Sequence, residues 1–144
     1  VWGKHTLFEN ALKSALIIRS PFASHQAKKV NTIMETVDIY PTLLELCHLK
    51  PKHKVDGESY KGILDGNQPT VAPMAYSYYR NGISLRTERY RLTKYYRSET
   101  LQIELYDLLK DPYETVNIAA DKPNLVAELM PTLEKGNKGL YTSK

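Results

Sequence analysis

From Leu101 to Leu105 the chain alternates strictly: Leu101, Ile103 and Leu105 are apolar, Gln102 and Glu104 polar. A period of two predicts a strand with one covered face. Three earlier runs read the same way: Met74–Arg80 (MAYSYYR), Ile83–Arg86 (ISLR) and Tyr90–Tyr96 (YRLTKYY). Asn81-Gly82, Thr87-Glu88-Arg89 and Arg97-Ser98-Glu99-Thr100 supply the turns between them. After Asp121 the period changes. Pro123 opens a helix in which Leu125, Leu129 and Leu133 recur every fourth residue, flanked by Val126 and Met130. Pro131 is expected to kink or shorten that helix. The second half is therefore α+β, a small antiparallel four-stranded sheet with a C-terminal helix packed across one face. Its tyrosines and arginines are expected on the other, wet face.

The first half has a different pattern. Ala15–Arg19 (ALIIR) is a short apolar run closed by Ser20-Pro21 and predicts a buried strand. The polar, basic stretch from Phe22 to Lys29 reads as a loop. Asp38 is suited to cap a helix, with Pro41 in its first turn, and Ile39, Leu43, Leu46 and Cys47 share one apolar face. That helix should end near Lys50-Pro51, before a turn-rich stretch around Tyr60–Leu64. A composition shift near residue 70 separates residues 1–70 from 71–144. A strand, a loop and a helix cannot close a sheet by themselves. The first piece is expected to be the C-terminal end of a larger α/β layer, with the missing N-terminal portion as its partner.

Composition narrows the function classes. The chain has 144 residues, 42% hydrophobic and 25% charged, which is ordinary for a globular domain. No apolar run approaches the roughly 20 residues that span a bilayer, so no membrane partner is expected. Cys47 is the single cysteine and is expected to be a buried structural thiol. The net charge of +4 suits an anionic substrate. Eight of the eleven tyrosines fall between Tyr76 and Tyr113, among Arg80, Arg86, Arg89, Arg91, Lys94 and Arg97. No stretch matches the aromatic signature of RNA-binding sheets, and the reading is against nucleic acid. His5, His25, His48 and His53 show no metal-ligand spacing. Lys4 and His5 stand apart because they adjoin the predicted strand, and function in α/β folds gathers at strand ends.

Four phrases carry a family resemblance. Trp2-Gly3-Lys4-His5-Thr6-Leu7-Phe8-Glu9 followed by Leu16-Ile17-Ile18 resembles the segment of type I sulfatases after their G-D-H-G stretch. Val37-Asp38-Ile39-Tyr40-Pro41-Thr42 is similar to that family's V-D-l-x-P-T, and Asp56-Gly57-Glu58-Ser59-Tyr60 to its d-G-x-S-l. Glu104-Leu105-Tyr106-Asp107-Leu108, with Asp111-Pro112, Glu114 and Asn117, resembles its E-L-Y-D-l-x-x-D-P-x-E-x-x-N run. Gly82–Thr87 and Tyr76–Arg80 most resemble iduronate-2-sulfatases. The proline that usually stands before the strand is replaced here, within Lys13-Ser14-Ala15.

The resemblance implies an alkaline-phosphatase-like fold and a sulfuric ester hydrolase acting on sulfated sugars, in glycosaminoglycan degradation. It also implies an extracytoplasmic parent, whether periplasmic, secreted or lysosomal. Family members use a calcium ion (Ca2+) and a formylglycine made within C/S-x-P-x-R. Neither that motif nor the aspartate ligands occur in this chain, so by itself it is expected to be inactive and to hold no metal. Lys4 matches the family lysine that contacts the sulfate or bridging oxygen and is the catalytic candidate. His5, Lys13 and Arg80, with Tyr79 beside it, are candidates for substrate binding. The alternative is a stand-alone anion- or polysaccharide-binding module that uses the basic, Tyr-rich sheet.

Overall fold

A computed structural model describes residues 4–21, 29–67, 73–97 and 102–141. Trp2, His25, Leu101 and the 98–100 turn lie outside the described residues. In chain order the elements are α1 (Glu9–Leu12), a 3-10 turn (Thr36–Asp38), α2 (Ile39–Leu46), α3 (Lys61–Leu64), β1 (Ala75–Tyr79), β2 (Gly82–Arg86), β3 (Tyr90–Tyr95), β4 (Gln102–Asp107) and α4 (Pro123–Asn137). No helix among the described residues is long and apolar enough to cross a membrane. The chain forms two compact units. One joins the residues up to Ser14 with those from Met74 onward, and the other runs from Ala15 to Pro73. The segment carrying Lys4 therefore packs with the sheet, far away in sequence.

In the sheet unit, the strands lie in the order β1-β2-β3-β4, all antiparallel. Ile83, Leu85, Leu92 and Leu105 are fully buried on one face, where Leu133 of α4 meets them with Leu125, Val126, Leu129 and Met130 alongside. Each such side chain contributes about 1.5–3 kcal/mol on burial. Two tyrosines join sheet to helix. The Tyr76 hydroxyl donates to the Thr132 carbonyl (2.8 Å) and the Tyr78 hydroxyl to that of Gly136 (2.8 Å). Gly136 is required there, because the Tyr76 ring occupies the space of a Cβ. Helix α4 runs through Pro131 to Asn137. Both Pro131 and Ala127, whose carbonyl loses its usual helical partner to the proline, are exposed.

The opposite face is not wet, contrary to the sequence-based expectation. It carries Ser84, Arg91, Thr93, Tyr95 and Tyr106, all buried. Residues 7–9 and Glu114 cover it. The polar side chains satisfy one another there: Thr93 Oγ1 donates to Ser84 Oγ (3.1 Å), as does Arg91 Nη1 (3.1 Å). Burial pushes the Tyr106 phenol up to about 12, with the charges of Glu104 and Glu114 adding to the effect. Burial also raises Tyr95 and Glu104.

The E-L-Y-D run is a structural clasp. Asp107 receives Arg89 Nε (3.0 Å) and Nη2 (2.6 Å), and Asp111 receives the N–H groups of Thr115 (2.6 Å) and Val116 (2.8 Å). The Asn117 carboxamide accepts from Leu105 N–H (3.0 Å) and donates to Ile103 C=O (3.2 Å). The Arg89 hydrogen bond holds the Asp107 carboxyl below its usual range, and the Val116 N–H does the same for Asp111. A depressed folded-state value means that stability is present at neutral pH and is lost as pH falls through that value. Acid unfolding of the chain should therefore extend below the ordinary carboxylate range, and Asp111→Asn should flatten that limb. An unchanged pH slope in the variant, followed by circular dichroism, would contradict this.

In the second unit the V-D-I-Y-P-T and D-G-E-S-Y phrases hold each other. The Asp38 carboxylate accepts from Glu35 N–H (3.0 Å) and Glu58 N–H (2.8 Å). It serves the 3-10 turn and the later phrase and does not cap α2. Thr42 Oγ1 donates to the Asp38 carbonyl (2.7 Å) and accepts from Tyr60 N–H (2.9 Å), while the Tyr60 hydroxyl donates to the Glu35 carbonyl. Burial, and then the charge of Asp38, raises the Tyr60 phenol. The Val37 carbonyl fills the space where a Cβ on Gly57 would stand.

Three expectations in this unit are corrected. Residues 15–19 form neither helix nor strand, and Ile17 is 92% exposed. An apolar run becomes a strand only where another strand meets its backbone groups, and none among the described residues does. Helix α2 ends at Leu46, well before Lys50. His48 (φ 56°) turns left-handed, so that Leu49 N–H reaches the Leu44 carbonyl (2.8 Å) and His48 N–H that of Glu45 (3.1 Å). Cys47 thus falls just past the helix and is exposed, and the buried side chains of α2 are Thr42 and Leu46.

Candidate functional site

The segment from Lys4 to Ser14 is anchored at three consecutive residues. Leu7 is 2% exposed and lies on Gly82, where a Cβ would stand 3.0 Å from it and 2.7 Å from the Tyr95 ring. Phe8 meets the Tyr106 ring edge-on at 5.8 Å. Glu9 then enters the buried polar face. Its carboxylate receives Arg91 Nη2 and Arg86 Nε (3.3 Å), and its N–H donates to Glu114 Oε2 (2.5 Å). Glu114 Oε1 in turn accepts from Arg91 Nε (2.5 Å). Glu114 has φ 56°, a left-handed conformation that a non-glycine residue adopts only when surrounding contacts hold it. One turn of helix, α1, follows and closes with Lys13 N–H on the Glu9 carbonyl (2.8 Å).

Just ahead of this anchor, Lys4 and His5 are exposed. Lys4 Nζ donates to Ser14 Oγ at 3.1 Å, across the turn made by the segment. The His5 ring stands 6.1 Å from the Tyr79 ring, and the Arg80 guanidinium lies 5.3 Å from the same ring. The structure thus brings His5, Tyr79 and Arg80 together, next in the chain to Lys4. Lys13 is exposed at the end of α1, and its ammonium makes no ion pair among the described residues. The half-buried Glu9, the buried Glu114 and their partner Arg91, which hold the segment in place, were not singled out by sequence reasoning. The signal available was the D-P-x-E phrase itself, whose glutamate is buried.

Chemically, an arginine and a histidine beside an aromatic ring, with an exposed lysine next in the chain, suit an oxyanion on a sugar-like ligand. They supply no nucleophile. Among the described residues no group of three or more His, Cys, Asp or Glu side chains is placed to hold a metal ion. Cys47 is exposed and followed by His48-Leu49-Lys50, so it is no formylglycine precursor of the C/S-x-P-x-R type. The residues present do not fit either group.

A family model described as N-sulphoglucosamine sulphohydrolase, C-terminal, matches residues 1–138. The chain belongs to this sulfatase C-terminal family. A sulfatase of Formosa agariphila is 31% identical over 119 residues, covering 82% of this chain and 23% of that protein. An N-acetylglucosamine-6-O-sulfatase of Bacteroides thetaiotaomicron is 28% identical over 151 residues, covering 95% of this chain and 27% of its own length. A solved structure of a protein bound to its substrate D-glucosamine-2-N,6-O-disulfate superposes with a TM-score of 0.61 at 26% identity, covering 70% of this chain and 23% of that one. The chain thus spans about a quarter of the length of these relatives. The type I sulfatase superfamily and its alkaline-phosphatase-like fold are established for this sulfatase C-terminal region. Most of its recognisable phrases are packing devices, and Lys4, which leads into the first of them, is exposed.

Proposed function

We propose that this chain is the C-terminal part of a sulfuric ester hydrolase that removes sulfate from a sulfated sugar, with Lys4 as its catalytic contribution. The observation that carries the reading is an exposed lysine on a segment pinned by Leu7, Phe8 and Glu9, in a chain of the sulfatase C-terminal family. In this role the ammonium stands at the bridging oxygen and offsets the negative charge that grows there as the S–O bond breaks. Such help is worth about 3–4 kcal/mol in a transition state. His5, Lys13 and Arg80 contact the rest of the sugar. Calcium and formylglycine belong to the portion of the parent not represented here. The parent acts outside the cytoplasm, where sulfated polysaccharides are met.

An iduronate-2-sulfatase-like specificity rests on the Gly82–Thr87 and Tyr76–Arg80 phrases. In the first, Ile83, Ser84 and Leu85 are buried and Arg86 pairs with Glu9, so that phrase reports packing more than sugar choice. The substrate is best identified directly. The full-length parent should release sulfate, measured by ion chromatography, from at least one of iduronate 2-sulfate, N-acetylglucosamine 6-sulfate and glucosamine N-sulfate. The 144-residue chain alone should release none. Hydrolysis of phosphate monoesters with no sulfate release from any of the three sugars would overturn the reading. The alternative of a polysaccharide-binding sheet gains no support. Arg86, Arg89, Arg91 and Lys94 are all paired with carboxylates, and Tyr76 and Tyr78 are bonded to α4.

A further inference from the structure

On the sheet, Arg86, Arg89, Arg91 and Lys94 each meet a carboxylate. The unit from Ala15 to Pro73 holds the opposite case. Residues 50–54 read Lys-Pro-Lys-His-Lys, three lysines and a histidine with no carboxylate among them, in a chain whose net charge is +4. All five residues are exposed, and no ion pair among the described residues involves Lys50, Lys52 or Lys54. Lys61 of the same unit, by contrast, pairs with Asp65. The loop is also held from both sides. Before it, His48 turns left-handed at φ 56° and Leu49 N–H closes on the Leu44 carbonyl (2.8 Å). After it, Glu58 N–H donates to Asp38 Oδ1 (2.8 Å) and Tyr60 N–H to Thr42 Oγ1 (2.9 Å). Pro51 narrows the backbone freedom between the first two lysines. Mutually repelling charges on a pinned loop gain when an anion settles on them, and little backbone freedom is lost on binding.

The chemistry of the loop narrows the partner. Lysines are point charges without the planar fork that reads one oxyanion, so an array of them responds to charge density along a polymer. The stretch has no aromatic residue on which bases could stack, which disfavours single-stranded nucleic acid. Of its apolar neighbours Leu49 and Val55, only Leu49 is exposed, too little to anchor in a lipid surface. We infer that the Lys50–Lys54 loop is a docking site for a length of sulfated polysaccharide, separate from the residues assigned to the ester being cleaved, and that it keeps the polymer on the enzyme between turnovers. A tether of this kind raises the effective concentration of the next ester without touching the reaction. Lys4, His5, Lys13 and Arg80 all belong to the sheet unit, and the loop belongs to the other. The choice of polymer rests on the sulfatase reading above, whereas the unpaired cations do not.

The test uses the full-length parent, with immobilised heparan sulfate, vesicles rich in phosphatidylserine and an oligothymidylate as probes. Wild-type protein should bind heparan sulfate in preference to the other two. Lys50→Gln, Lys52→Gln and Lys54→Gln together should weaken that binding about ten-fold, the product of three solvated contacts. The slope of log affinity against log salt should become shallower by about 2. Arginine at the same three positions should retain the binding, and Lys4→Ala should leave it nearly unchanged, which separates the loop from the site of cleavage. Sulfate release from a sulfated monosaccharide should be the same in the glutamine variant as in wild type. Equal heparan sulfate binding by the two would overturn the docking site, and sulfate release by the same preparations would leave the sulfatase reading standing. Capture by the vesicles or the oligothymidylate in preference to heparan sulfate would overturn the choice of partner. Loop-dependent binding with no sulfate released from any sugar would support the docking site and sink the sulfatase reading.

Discussion

Arg91→Met should lower the unfolding free energy of the chain by about 3–5 kcal/mol, as expected when one member of a buried charge network is removed. Arg91 is 1% exposed and its three donating nitrogens reach Glu114, Glu9 and Ser84. Methionine fills much of the same volume, so the loss would come from stranded charge and not from a cavity. Glu114, whose side chain is 1% exposed, would keep only the Glu9 N–H as a hydrogen-bond partner among the described residues. Glu9 would retain Arg86. Arg91→Met combined with Glu114→Gln should therefore recover part of the loss, a coupling that a double-mutant cycle reads directly. Urea unfolding provides the measurement. A loss under about 1 kcal/mol, the range of solvated surface pairs, would mean that water reaches this network.

The second large effect concerns turnover. In the full-length parent, Lys4→Ala should reduce kcat on a sulfated sugar about 10²–10³-fold, the scale of losing one preorganised donor. Melting should barely change, because Lys4 is exposed and its ammonium bonds only Ser14 Oγ among the described residues. The loss should be smaller on an aryl sulfate. A phenolate leaving group carries its own charge well and needs less from the enzyme, whereas a sugar alkoxide does not. Equal losses on both substrates would recast Lys4 as a ground-state sulfate ligand. Unchanged kcat on both would remove it from the chemistry.

Local pattern made most of the sheet unit legible. Strict alternation placed β4, the YRLTKYY run placed β3, and the fourfold leucine repeat placed α4. What periodicity could not supply was the second cover of the sheet. Leu7, Phe8 and Glu9 lie in a stretch with no period, and their partners Gly82, Tyr106 and Arg91 are distant in sequence. Arg91, within a strand rich in polar residues, reads as solvent-facing until its register against Ser84, Thr93 and Glu114 is known. The ALIIR run failed for the converse reason: composition favours a strand, but pairing is a property of two segments. At the candidate site, Lys4 and His5 were singled out by their place before the predicted 15–19 strand, which is not formed here, and by a phrase of the family. The closeness of Arg80 to His5 through Tyr79 required the fold. So did the β1–β2 turn, which closes through the left-handed Arg80 and Asn81, one position earlier than the Asn81-Gly82 expected from sequence.

The Asn117 carboxamide has a consequence for how the molecule meets other copies of itself. Strand β4 is the last in its sheet, and its outward Leu105 N–H and Ile103 C=O would otherwise be free to template a foreign strand. Asn117 occupies both, and Ile118 N–H takes the Leu105 carbonyl (2.9 Å). A side chain thereby imitates the next strand and closes that border to edge-to-edge aggregation. Growth of the sheet by recruitment is left to the far border, along β1, whose own tip carries Arg80.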